Sequence, residues 1–108
     1  MYGSPSCFAV EMYLSGALGG HPDDTGAYPA ATFFAVDRYI SMRTTWGKLL
    51  DTCDYIIFNR YTSANAVHQL SKLGRADWDE FLHWLYDFEF ARLGLPRPDL
   101  TLYLTRFV

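Results

Sequence analysis

The sequence predicts an α/β fold, rich in helices, in which two parallel strands are joined by a helical crossover. Long stretches carry apolar residues at three- and four-residue spacing, which is typical of amphipathic helices. Two short runs are instead apolar on both sides, as in parallel strands that are covered on both faces. The order along the chain is helix, helix, strand, helix, helix, strand, and 108 residues suffice for one small domain.

Two helices are predicted before the first strand. A short helix has Pro5 at its first position, where proline is favoured, and ends at Gly19 and Gly20. A long helix covers about residues 26–52, because apolar residues recur there at helical spacing. Pro29 lies in the first turn of that helix, where proline costs little.

The second half of the chain is predicted to alternate strands with helices. Residues 54–59, DYIIFN, form the first strand, and residues 100–104, LTLYL, form the second. One intervening helix covers residues 62–73. The other runs from Asp77 to Gly94, and these end residues are its expected N-cap and C-cap.

Composition and charge exclude several classes of function. The net charge is −3 and the nine basic residues are scattered, so we expect no nucleic-acid partner. No apolar run approaches the roughly 20 residues that span a bilayer, and we expect neither a membrane segment nor a signal peptide. Cys7 and Cys53 are far apart in the chain, which favours buried free thiols and a cytoplasmic protein.

Arg60 is a candidate site residue because it follows the first predicted strand. Ligands of open α/β sheets bind beyond the carboxyl ends of the strands. A guanidinium at that edge offers a planar fork of donors that suits a phosphate. Pairing of Arg60 with a local carboxylate is the alternative, and its position alone does not decide between them.

The helix after Arg60 carries a polar face. Its members share one side of the helix at i, i+3, i+4 and i+7, and they are Asn65, His68, Gln69 and Lys72. The residues expected to face the core are Ala66, Val67 and Leu70. The polar face could line a cleft beside Arg60, or it could simply be solvated.

Phe34 and Arg38 form a third candidate pair, one turn apart on the long helix. Four residues correspond to about 6 Å along a helix axis. An aromatic ring and a guanidinium at that separation can stack on a flat base and hydrogen-bond to its edge. The alternative is a core phenylalanine beside a surface arginine.

Three stretches together resemble the thymidylate kinase family. They are AYPAATFFAVDRYISM, NRYTSANAVHQLSKL and EFARLGLPRPDLTLYL, and the resemblance extends from Tyr2 to about Leu104. Its most specific elements are Phe-x-x-x-Arg, Arg-Tyr with Gln nine residues after the Arg, and Gly-Leu-Pro-x-Pro-Asp. The resemblance implies a partial P-loop kinase-type fold, with residues 1–108 as a single incomplete domain that binds the monophosphate substrate.

Members of this family transfer the γ-phosphoryl group of ATP to thymidine monophosphate (dTMP). The resemblance implies that Phe34 stacks on the thymine and that Arg38 bonds to its O4 edge. It gives Arg60 a catalytic role, holding and neutralising the 5′-phosphate of dTMP. It also places Asn65 and Gln69 at the far edge of the base.

The sequence departs from the family at several positions. Asn59 stands where the family has a catalytic Asp near magnesium, and the amide removes the charge. Ala64 replaces a usual Ser, and His68 replaces an aromatic ring beside the sugar. The family uses ATP and Mg²⁺, but these 108 residues contain no Gly-x-x-x-x-Gly-Lys-Ser/Thr loop. The one Gly-Lys pair, Gly47-Lys48, is followed by Leu.

From these departures we expect a fragment or degraded copy, lacking both the phosphate loop and the lid, that is inactive on its own. The family's phosphate-loop strand would lie between the two predicted strands. Without it, we expect the strands to close on each other, to recruit a partner chain, or to leave the domain poorly stable.

Two other functions stay open at this stage. The first is a non-catalytic module that forms a homodimer through the long helices Phe33–Trp46 and Trp78–Phe90, as the family dimerises. The second is a fragment of another nucleoside or nucleotide kinase. Deoxynucleoside kinases usually carry a glutamate before the motif arginine, whereas this chain has Asn59.

Overall fold

Four α-helices form the frame of the protein. The computed structural model describes residues 5–20 and 24–104. The helices are α1 (Phe8–Leu14), α2 (Ala27–Ser41), α3 (Thr62–Leu70) and α4 (Trp78–Tyr86). The longest α-helix, α2, has 15 residues, and within the described residues no helix is long and apolar enough to cross a membrane.

Short helical segments of other types extend these helices. They are the 3₁₀ turns Pro5–Cys7, Gly47–Leu49 and Arg75–Asp77 and the π-helical segments Met42–Trp46 and Asp87–Arg92. With its extensions, α2 follows the predicted helix of residues 26–52 as far as Leu49. Asp77 is the N-cap of α4, but its side chain forms no capping hydrogen bond. Gly94 ends the last helical segment at φ 72°, a conformation that glycine adopts without strain.

The predicted α/β class is wrong, because the described part of the chain contains helices and no sheet. Residues 54–59 and 100–104 have no regular secondary structure. Ile57 and Leu104 are 92% and 90% exposed. An apolar run becomes a strand only where a neighbouring backbone accepts its hydrogen bonds, and the described residues give these segments no such neighbour. The two predicted strands therefore do not close on each other.

The core lies where α2, α3 and α4 meet. Its buried cluster consists of Ala27, Ala31, Ala66, Phe81 and Leu85. The alanines of α2 and α3 are small enough for the two helices to pack closely. Full burial of Phe81 or Leu85 contributes about 1.5–3 kcal/mol each.

Helix α3 buries two of the four residues of its predicted polar face and exposes Val67, which the sequence pattern places towards the core. Asn65 and Gln69 are 5% and 1% exposed, whereas Val67 is 63% exposed. The amide of Asn65 donates from Nδ2 to the carbonyl oxygen of Ala31 on α2, at 3.1 Å. Since this bond satisfies a buried polar side chain, α3 can turn Asn65 towards α2 and leave Val67 in water.

Candidate functional site

A cavity of about 650 Å³ lies between α2, α3 and the segment that precedes α3. Its volume falls within the range of about 300–1,000 Å³ that is typical of small-molecule sites. Its lining comes from four parts of the chain and consists of Cys7, Val10, Phe34, Asp37, Arg38, Ser41, Trp46, Phe58, Asn59, Arg60, Tyr61, Ala64, Asn65, His68 and Gln69.

Lys72 of the predicted polar face does not line this cavity, but the other seven candidate side chains do. They are Phe34, Arg38, Asn59, Arg60, Asn65, His68 and Gln69. Helix α2 supplies two of them and α3 supplies three, while the remaining pair comes just before α3. The structure therefore brings the residues together, and the role of each residue stays a prediction.

Arg60 adopts an unusual backbone conformation. Its φ is 74°, and among the described residues it is the one non-glycine residue with a positive φ. Such a conformation costs about 1–3 kcal/mol and is found preferentially at functional sites. The Nη1 atom of Arg60 lies 3.2 Å from Nε2 of His68. Within the described part of the chain Arg60 forms no ion pair, so pairing with a local carboxylate is not observed.

Arg38 is held by a buried carboxylate. Its Nη1 atom donates to Oε1 of Glu89, which is 0% exposed and lies in the π-helical segment after α4. The same carboxylate oxygen accepts a hydrogen bond of 3.1 Å from Oγ1 of Thr62. The guanidinium carbon of Arg38 also lies 5.1 Å from the centre of the Tyr61 ring. One carboxylate and one aromatic ring thus fix Arg38 at the cavity wall.

Burial changes the acid–base properties of two groups beside Arg38. It raises the pKa of Glu89 above the ordinary value, and the positive charge of Arg38 opposes this shift. Burial also raises the pKa of the Tyr61 phenol, where Arg38 again opposes and Glu89 reinforces the shift. The Tyr61 hydroxyl donates to the carbonyl oxygen of Pro96 at 2.7 Å.

The cavity wall also presents hydrogen-bond acceptors without a partner. Gln69 donates from Nε2 to Oδ1 of Asn65 at 3.4 Å, but its Oε1 has no partner among the described residues. Oδ1 of Asp37 is also buried and has no hydrogen-bond partner within that part of the chain. Buried acceptors are normally paired, so a ligand with N–H donors would satisfy groups that the protein leaves open.

Aromatic rings form one wall of the cavity. The ring centre of Trp46 lies 4.7 Å from that of Phe58, and the rings of Phe58 and Tyr61 lie 5.1 Å apart. The ring centre of Phe34, the predicted stacking residue, lies 6.1 Å from that of Tyr13 in α1, in an edge-to-face arrangement. These rings supply the apolar surface that a flat ligand needs.

Glu89 and the aromatic wall belong to the site but are absent from the predictions. Phe81, Leu85 and Glu89 recur every four residues, so they share one helix face, and a carboxylate on an otherwise buried face indicates a cationic partner. That signal was present in the sequence. Trp46 and Phe58 lie in separate segments, and no sequence spacing brings them together.

The residues that the structure describes do not fit ATP and Mg²⁺. Gly47 lies in a 3₁₀ turn, where an added Cβ would stand 2.5 Å from the carbonyl oxygen of Met42. Its neighbourhood is therefore filled by protein and is not a cradle for phosphates. Among the described residues no group of three acidic, histidine or cysteine side chains could hold a metal ion.

The fold and the cavity define a small helical domain whose cavity has the size of a small-molecule site and both aromatic and polar lining residues. The chain is 37% identical over 92 residues to the thymidylate kinase of Mycobacterium tuberculosis strain CDC 1551 / Oshkosh, and equally to that of strain ATCC 25618 / H37Rv. This confirms the resemblance, and the chain is related to the thymidylate kinases. The alignment covers 84% of this chain, which spans 42% of the length of each relative. No protein-family model and no solved structure matches the chain.

Proposed function

We propose that this chain forms the dTMP-binding part of a thymidylate kinase. The observation that carries the proposal is the convergence of seven of the eight candidate residues on one cavity of about 650 Å³. Similarity to thymidylate kinases along 84% of the chain supports the identity of the ligand.

The charges of the two cavity arginines support the predicted orientation of dTMP. Arg38 has its charge balanced by Glu89, whereas Arg60 has no carboxylate partner among the described residues. A phosphate monoester carries a charge of about −1.5 to −2 at neutral pH and binds most strongly to an unbalanced cation. The phosphate therefore belongs at Arg60. The uncharged thymine belongs at Arg38 and Phe34.

Phosphoryl transfer is a separate requirement. It depends on positioning the phosphates of ATP and neutralising their charge, and these 108 residues contain no phosphate-binding loop. Asn59 also lacks the negative charge of the family's Asp. We therefore expect this chain alone to bind dTMP without forming the diphosphate, in an assay that follows ATP consumption.

A thermal melt with and without excess dTMP tests the binding function, with uridine monophosphate as the control ligand. A ligand that binds only the folded state adds about 2.7 kcal/mol of stability at 100 times its Kd. We expect dTMP to raise the Tm and uridine monophosphate to raise it less. Equal shifts, or no shift in a cooperative melt, would contradict the proposal.

The variant Arg60→Ala assigns the phosphate contact. It should abolish the dTMP-dependent rise in Tm, because no other cavity group replaces the unbalanced cation. Arg43→Ala is the matched control, since Arg43 is exposed and does not line the cavity. Binding that survives in Arg60→Ala would show that the phosphate lies elsewhere.

Association with a second copy of the chain is a second candidate function. The exposed apolar side chains of residues 54–59 and 100–104 favour it, because exposed apolar patches are common at interaction sites. The contact surface would then include these segments as well as the predicted helices Phe33–Trp46 and Trp78–Phe90.

Sedimentation over a range of concentrations tests this association. It should show a dimer that dTMP does not alter, and Ile57→Lys should weaken that dimer. A monomer at all concentrations would exclude this function.

A further inference from the structure

We propose that Glu89 is a positioning residue that holds the Arg38 guanidinium in the orientation needed to bind the base of the ligand. The inference rests on the proposed function, since it concerns the same cavity. Glu89 itself does not line the cavity and would act entirely through Arg38.

Glu89 connects three separate parts of the fold. Arg38 lies on α2, Thr62 begins α3, and Glu89 belongs to the π-helical segment Asp87–Arg92. Both Arg38 and Thr62 donate to the same oxygen, Oε1 of Glu89. A single buried atom therefore sets the position of Arg38 relative to the start of α3, and so relative to Arg60 two residues earlier.

Stability alone gives little reason for this arrangement. Taking two charged groups out of water costs roughly as much as their attraction returns, and apolar replacements of buried ion pairs are often neutral or stabilising. Oε2 of Glu89 also has no hydrogen-bond partner among the described residues, which adds to the cost of its burial. Because the pair of Arg38 and Glu89 adds little stability, we attribute it to the orientation that it gives the Arg38 guanidinium.

The guanidinium of Arg38 has little freedom in this arrangement. Glu89 holds Nη1 at one edge, and the Tyr61 ring lies over the central carbon at 5.1 Å. The Arg38 side chain is still 15% exposed. An unrestrained arginine would lose rotamer freedom each time a ligand bound, which would weaken binding. Arg38 is already fixed by Glu89 before the ligand arrives, so binding does not carry this entropic cost.

The variant Glu89→Gln tests this role because it keeps the side-chain size and removes the charge. The measurement is the ratio of the affinity for dTMP to the affinity for deoxyribose 5-phosphate, which lacks the base. Since hydrogen bonds to charged groups contribute about 1.5–3 kcal/mol, we expect the ratio to fall about tenfold or more. Asp87→Asn is the matched control. It makes the same chemical change in the same helical segment, but at an exposed ion pair with Arg92.

A merely structural Glu89 would give a different result. Both affinities would then fall together in Glu89→Gln, or neither would change, and the ratio would stay constant. Either result overturns the positioning role.

A second measurement needs no ligand and separates this inference from the proposed function. The Nε–H proton of Arg38, assigned by its loss in Arg38→Met, should exchange with water about tenfold faster in Glu89→Gln and at the wild-type rate in Asp87→Asn. If the wild type fails to bind dTMP, the proposed function is wrong, and this exchange rate still decides the role of Glu89. An unchanged rate refutes it. Should Glu89→Gln not fold, Thr62→Val removes one bond to the same oxygen and should accelerate exchange by a smaller factor.

Discussion

The backbone of Arg60 is strained in the conformation that it adopts at the cavity. At φ 74° a residue with a Cβ is destabilised by about 1–2 kcal/mol relative to its right-handed conformation, whereas glycine is not. We expect Arg60→Gly to be more stable than Arg60→Ala by up to about 1 kcal/mol, measured by urea unfolding, although both should lose dTMP binding. Equal stabilities would show that the surrounding structure relaxes the strain. The same pair of substitutions at Arg43, which has no positive φ, should favour alanine.

Glu89 makes stability depend on pH in a defined direction. Because burial raises its pKa in the folded state, the folded protein binds the carboxyl proton more tightly than the unfolded chain. The stabilisation from this proton is complete below the ordinary pKa of a carboxyl group. It is lost as the pH rises through the raised pKa of Glu89.

Glu89→Gln removes this titration. The free energy of unfolding of the wild type, measured relative to Glu89→Gln, should therefore decrease as the pH rises from the ordinary pKa of a carboxyl group through the raised pKa of Glu89. Urea unfolding at several pH values across that range checks the sign. Asp87→Asn is the reference for an exposed carboxylate. A difference that grows with pH would mean that the ion pair with Arg38 outweighs the cost of burial.

At the scale of elements, the packing of α2 against α3 depends on small side chains. Ala31 is fully buried, and its carbonyl oxygen accepts the hydrogen bond from Asn65. We expect Ala31→Leu to destabilise the protein by about 1–3 kcal/mol, because the added atoms would separate the two helices. The matched control is Ala91→Leu in the segment Asp87–Arg92, where the alanine is exposed and the change should be within about 0.5 kcal/mol. Stability is measured by thermal or urea unfolding. If Ala31→Leu and Ala91→Leu lost the same stability, Ala31 would not belong to the packed core.

The helices could be predicted from the sequence because their signals are local. Apolar spacing gave the position of α2, and the segment from Asp77 to Gly94 contains α4 with its extensions. The grouping of Phe34, Arg38 and Arg60 also came from sequence motifs, and the cavity contains all three. The two strand predictions are wrong because strands depend on partners that are distant in the sequence. A strand needs a neighbouring strand, and whether one exists cannot be read from DYIIFN or LTLYL themselves.

The missed contributions to the site have the same origin. The contact between Arg38 and Glu89 joins residues 51 positions apart, and the one between Tyr61 and Pro96 joins residues 35 positions apart. The orientation of α3 depended on a bond from Asn65 to a backbone carbonyl of α2, which sequence patterns do not encode. Val67 was therefore predicted on the wrong side of its helix.

At the scale of the whole molecule, the protein is less compact than a typical domain of its length. Its radius of gyration is 14.7 Å, whereas about 13 Å is expected for 108 residues. The two extended segments, residues 54–59 and 100–104, account for part of this difference because most of their apolar side chains are exposed to water. The molecule thus combines a packed helical core with two apolar segments that contribute little to it.

Hydrogen exchange should reveal this division directly. Amides of residues 54–59 and 100–104 have no regular hydrogen-bonded structure, so we expect them to exchange close to the rate of an unfolded chain. Amides in the middle of α2, around Ala31 and Ala35, should be protected up to the free energy of global unfolding. Strong protection of both extended segments would mean that they pair with each other or with a second chain. Repeating the measurement at lower protein concentration separates those cases, because only protection that comes from a second chain would then disappear.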